Sequence, residues 1–203
     1  MKLIGLCGLS CSGKNYIAGL LKKRGIPSYD VDKAGYAALE SEKEAVIARF
    51  GSEILKEDGT IDRKRLGQMV FGNSLEKKEA LKALEGIVHP AANRLTEAWL
   101  AEQGQKGQKM AVVNAALLHR TVLKEPFDAI IIVRSPFLKR FFRARQRDKI
   151  SGLAILSRFW NQRGFFAQYK KIKADTYIVN NTFCDSGDTS LEKQIDIILG
   201  RLN

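Results

Sequence analysis

The start of the chain constrains it most. Residues 3–17 read LIGLCGLSCSGKNYI. An apolar run, Lys2–Cys7, has the composition of a buried strand. From Lys14 to Lys22 the spacing is helical, with Ile17, Leu20 and Leu21 on one side. Between them lie Gly8, four further residues, Gly13 and Lys14. Strand, glycine loop and helix in direct succession make a phosphate cradle. The glycines let successive backbone N–H groups turn inward, the helix N-terminus adds positive potential, and the lysine reaches the outer phosphates. An ordinary glycine turn would satisfy the spacing alone; the flanking strand and helix favour phosphate. Gly8, Ser10, Cys11, Ser12, Gly13, Lys14 and Asn15 are therefore the expected phosphate-loop contacts of a bound nucleotide. One position departs from the pattern. Asn15 stands where a Ser or Thr hydroxyl ordinarily meets magnesium, and an amide oxygen is an unusual ligand for a hard cation.

The remainder alternates strands with helices. IPSYDVD (Ile26–Asp32) reads as a short strand ending in two carboxylates. Residues 33–103 are mostly helical, with Gly51 as a stop and Asn73 and Glu76 as a capping box. Apolar strands are expected from Met110 and over Phe127–Ser135, a basic helix begins at Pro136, and a helical stretch over Ser151–Lys173 is broken at Gly164. ADTYIVNN is the last strand, and Leu191, Ile195, Ile198 and Leu202 line a final amphipathic helix. This order predicts an α/β fold with a mainly parallel sheet. The helical stretch after the second strand is too long for a simple crossover and should form a lobe.

Composition narrows the partners. A net charge of +12 attracts polyanions, without choosing among nucleic acid, acidic lipid and phosphorylated small molecules. No apolar run is long enough to cross a membrane and no signal peptide leads the chain, so a cytoplasmic protein is expected. Three cysteines, Cys7, Cys11 and Cys184, form no disulfide framework or zinc site. Cys7 reads as a small apolar residue; Cys11, among loop N–H groups, is either a plain loop residue or an oxidisable thiol.

The landmarks DVD (Asp30–Asp32), RFGSEIL, DGTIDRKRL, HP, NAALL, RFWNQ and KADTYIVNN, in this order behind the loop, resemble the dephospho-CoA kinases. The resemblance runs from about residue 2 to residue 200. It implies a P-loop kinase, a three-layer sandwich built on a parallel sheet. Residues 1–32 and 108–203 would form the nucleotide-binding core, 33–107 a helical CoA-substrate lobe, and 137–173 a basic helical lid. It implies transfer of the ATP γ-phosphoryl group to the ribose 3′-hydroxyl of dephospho-CoA, with Mg2+, and neither nucleic acid nor membrane as partner. Asp30 would be the base at the acceptor hydroxyl, with Lys14 on the phosphates. Asp32, Arg63 and His89 would face the CoA moiety, and Asn180, with Asn181, the adenine. Among Arg140, Arg143, Arg145 and Arg147, Arg143 is the expected lid arginine. Plainer roles stay open: Asp30 and Asp32 as a helix cap, Arg63 as a solvated arginine, His89 as a helix-ending residue. A nucleic-acid binder using the basic helix and Phe141, Phe142, Trp160, Phe165 and Phe166 has no recognition motif behind it, and those aromatics are spaced like a packing face. In NAALL, Asn114 stands where relatives have aspartate, Ala116 replaces proline and Arg120 falls where glutamate is common. Asn15 and, through water, Asn114 are thus the expected metal-shell positions. Both are neutral, which leaves a nucleotide-binding protein with weak or no kinase activity as the alternative.

Overall fold

The computed structural model describes residues 1–162, 164–169, 173–182 and 189–202; Cys184 lies outside them. The chain forms two compact units, Met1–Asp30 with Leu100–Asn203, and Val31–Trp99. The boundaries implied by the resemblance lie at residues 32 and 107.

The first unit holds a sheet of strands β1 (Lys2–Gly8), β2 (Ser28–Asp30), β3 (Met110–Asn114), β4 (Ala129–Arg134) and β5 (Asp175–Asn180). All pairs are parallel, in the order β2-β3-β1-β4-β5. MAVVN in β3 and AIIIV in β4 are buried throughout, as a parallel sheet covered on both faces demands. Helix α1 (Lys14–Lys23) buries Ile17, Leu20 and Leu21 against this sheet, and α9 (Ser190–Leu202) buries Leu191, Ile195, Ile198 and Leu202 in the same core. Because β1 is central, the loop after it opens where the connections diverge to either edge, the usual place for a ligand in such sheets. Leu6 of β1 and Asp30 of β2 are both in register with Asn114 of β3, so those strand ends lie side by side.

The basic segment forms α6 (Phe137–Asp148), with Pro136 at its N-cap, followed by α7 (Gly152–Asn161) and the short α8 (Phe165–Tyr169). Ser151 caps α7 by accepting the Ala154 N–H. Ala144, Ile155 and Phe159 form a small core between α6 and α7, and Cys11 packs against it.

The second unit contains α2 (Val31–Ser41), α3 (Lys43–Phe50), α4 (Arg63–Val70) and most of α5 (Leu75–Gln105). Leu39, Val46, Phe50, Ile54, Ile61, Leu66 and Val70 make its core. Gly51, at φ 88°, stops α3 as expected. Asp62 caps α4 by accepting the N–H groups of Lys64 and Arg65.

Three local expectations change. β2 ends at Asp30, and Asp32 lies in the first turn of α2. Ser74, not Asn73, caps α5, accepting the Lys77 N–H. α5 does not stop at His89-Pro90 but continues to Gln105. Beside that proline, Ala91 and Ala92 pack on Ala38, so tertiary contact outweighs one lost backbone hydrogen bond. Among the described residues, no helix is long and apolar enough to cross a membrane.

Candidate active site

The glycine loop is shaped by close approach. A Cβ on Gly8 would lie 2.5 Å from the Ser12 hydroxyl and 2.8 Å from the Val133 carbonyl. Gly13 has φ 94°, and a Cβ there would fall 2.1 Å from the Asn181 amide. Cys11 takes the left-handed conformation without being glycine, at φ 59°.

Side chains far along the chain hold that shape. Arg140 Nε donates to the Ser10 carbonyl at 2.8 Å, Arg143 to the Cys11 carbonyl at 3.3 Å, and Asn181 Nδ2 to the Ser12 carbonyl at 2.8 Å. Three consecutive carbonyls are thereby engaged by donors from outside the loop. The Ser10 N–H donates to Gln162 Oε1 at 3.0 Å, so this member of the expected ATP set is occupied at its backbone.

The arginines of α6 divide by task. Arg140 is buried and stacks 4.2 Å from the centre of the Phe159 ring. Burial lowers its pKa, yet a guanidinium stays charged. Arg143 also donates to Ser135 Oγ at 3.1 Å, and its guanidinium lies beside Gly13. Arg147 is tied to Asp148 at 2.6 Å, and Arg158 reaches the same carboxylate. Hydrogen bonds from Arg147 and then Arg158 hold the Asp148 carboxyl at about 2. Arg145 is exposed. Among these arginines, Arg143 lies beside the glycine loop without serving as its buried support.

Below the loop, burial pushes the Cys7 thiol up to about 12, despite a Tyr169 hydrogen bond that acts the other way. Cys7 is a core thiol, as its sequence context suggested.

Asp30, at the end of β2, is in register with Asn114. Asn114 is 2% exposed and donates from Nδ2 to Asn15 Oδ1 at 3.1 Å. Among the described residues its own Oδ1, which is buried, has no hydrogen-bond partner, and neither has the buried Ser12 hydroxyl. Among the described residues no cluster of three His, Cys, Asp or Glu side chains could hold a metal. The amide oxygens still fit magnesium in kind: Asn15 Oδ1 is a hard donor, and Asn114 Oδ1 can accept from a metal-bound water.

Other expected substrate residues gather in the second unit. Asp32, Tyr36, Arg63, Phe71, Glu85 and His89 line a cavity of about 580 Å³. The Arg63 guanidinium stacks on the Tyr36 ring at 4.5 Å. At the end of the last strand Asn180 and Asn181 differ. The Asn180 side chain is exposed and its backbone N–H donates to Gln194, while the next residue, Asn181, meets the loop. Arg140, Gln162 and Asn181 were not singled out from sequence as loop supports.

The dephospho-CoA kinase family model matches residues 2–185. The chain belongs to the dephospho-CoA kinase family. It is 31% identical to the dephospho-CoA kinase of Treponema pallidum, across 98% of this chain and 94% of that one. It is 34% identical to that of Bdellovibrio bacteriovorus, across 98% and 95%. Its fold matches the crystal structure of TT1252 from Thermus thermophilus with a TM-score of 0.79 at 27% identity, covering 100% and 98% of the two chains. It matches the dephospho-CoA kinase from Campylobacter jejuni with a TM-score of 0.67 at 25% identity, covering 99% and 98%. As a dephospho-CoA kinase family member, the chain has the expected α/β fold of a P-loop kinase.

Proposed function

We propose that the protein transfers the γ-phosphoryl group of ATP to the ribose 3′-hydroxyl of dephospho-CoA. The observation that carries this reading is the braced glycine loop at the strand ends, with Lys14 beginning α1 and Asp30 ending the neighbouring β2. The loop's N–H groups and Lys14 hold the β- and γ-phosphates. Asp30 accepts the proton of the attacking hydroxyl. Arg143 spreads charge over the transferring phosphate, for which its planar donor fork is suited. The cavity with Asp32, Arg63 and His89 binds the CoA moiety. Magnesium would neutralise phosphate charge when bound with ATP; Asn15 would hold it directly and Asn114 through water. The protein acts in the cytoplasm on a small molecule, with neither nucleic acid nor membrane as partner.

A coupled assay with ATP, magnesium and dephospho-CoA tests this. Product should form, and Asp30→Asn should lower kcat by about a hundredfold or more while changing ATP affinity less than about twofold. Absence of product would reject the activity. Equal losses in turnover and affinity would reassign Asp30 to structure. The neutral Asn15–Asn114 pair favours the second reading, a nucleotide binder of low activity; ATP retention without product would establish it.

A further inference from the structure

The two departures from the phosphate-loop pattern touch each other. Asn114 Nδ2 donates to Asn15 Oδ1 at 3.1 Å, and Asn114 Oδ1 is buried without a partner among the described residues. A serine or threonine at position 15 would bring a hydroxyl, which can ligate a cation through oxygen and give its proton to a carboxylate behind it. An amide oxygen has no proton to give. A carboxylate at position 114 would face it acceptor to acceptor. An amide there resolves the clash, because its N–H₂ group donates.

We propose that Asn15 and Asn114 form one matched metal-shell unit of reversed polarity, in which Asn114 is the positioning residue. The strand supplies the donor and the loop supplies the acceptor. Accepting one N–H leaves Asn15 Oδ1 a second lone pair for a divalent cation. Asn114 Oδ1, 2% exposed and unpartnered, accepts from a cation-bound water. The unit is uncharged, so it holds the cation more weakly than a hydroxyl–carboxylate pair would. This rests on the reading that a nucleotide's phosphates occupy the glycine loop, but not on the identity of the phosphate acceptor.

The unit makes two substitutions of equal charge and nearly equal shape unequal in effect. Asn15→Asp keeps an acceptor toward Asn114 and adds charge. Asn114→Asp adds the same charge but removes the donor, so the Asn15 amide must turn its nitrogen inward and its oxygen away. Free Mn2+ is followed by electron paramagnetic resonance at saturating ADP, with no acceptor substrate present. Asn15→Asp should tighten Mn2+ about tenfold. Asn114→Asp should leave it unchanged or weaker. The combined Asn15→Thr/Asn114→Asp variant, a hydroxyl facing a carboxylate, should regain about tenfold tightening. Equal tightening by both single variants would reduce the effect to charge and overturn the pairing. So would no tightening by Asn15→Asp, a change at an exposed position that decides the matter even if Asn114→Asp does not fold. If wild type binds ADP but takes up no Mn2+ with it, this inference alone fails. If it binds no ADP, the phosphate-loop reading fails first.

Discussion

Arg140 is a residue where lysine would not serve. It is buried, stacks on Phe159 and delivers Nε to the Ser10 carbonyl, which requires a flat, charged group with several donors. Arg140→Lys should weaken ADP binding about tenfold, the loss of one or two charge-assisted hydrogen bonds. Calorimetric titration measures this, and unchanged affinity would mean the loop keeps its shape unaided. Asp148 gives a second test. Its folded carboxyl sits at about 2, below the ordinary 3.8. A depressed carboxyl stabilises the fold above its unfolded pKa, and that contribution disappears as pH falls through the folded value. Thermal melts between about pH 5 and pH 2 should therefore fall less steeply in Asp148→Asn than in wild type. Identical slopes would show that the Arg147 and Arg158 pairing is inconsequential.

At the level of elements, what could be read from sequence was whatever a period or a cap announced. β1, β3 and β4 are continuous apolar runs, and α9 shows its buried face in Leu191, Ile195, Ile198 and Leu202. Because that face fills the same core as α1, Ile195→Ala should cost about 2–5 kcal/mol in urea unfolding. A loss below about 0.5 kcal/mol would mean that α9 is not integral to the core. Boundaries set by tertiary contact were not legible. A proline disfavours a continuing helix, yet α5 passes through Pro90, and the fitting of Ala91 and Ala92 on Ala38 that accompanies it cannot be inferred from local propensity. The candidate site divides likewise. The glycine loop, Lys14, Asp30 and the two unusual asparagines stood out as motif positions. Arg140, Gln162 and Asn181 act on the loop across 130, 152 and 169 residues of chain, a separation over which no pattern operates. That Asn15 and Asn114 touch each other was equally hidden, since only the register of β3 beside β1 brings position 114 to the loop.

The whole molecule consists of two units with separate apolar cores, one around the sheet and one among α2, α3, α4 and α5. Ligands of different chemistry should therefore protect different stretches. In hydrogen exchange, ADP should slow amides within residues 4–17 and at α6, and dephospho-CoA those of α2, α4 and the middle of α5. Uniform protection by either ligand would reject this division. The +12 net charge suits two phosphorylated ligands, and their association should slow as salt screens it.

The engagement of three successive loop carbonyls by Arg140, Arg143 and Asn181 bears on what can be transplanted. A peptide ending after α1 would contain every motif residue and still make a poor anion receptor, because its scaffold arrives more than a hundred positions later. Anyone wishing to move this cradle into another protein would have to move its distant braces as well.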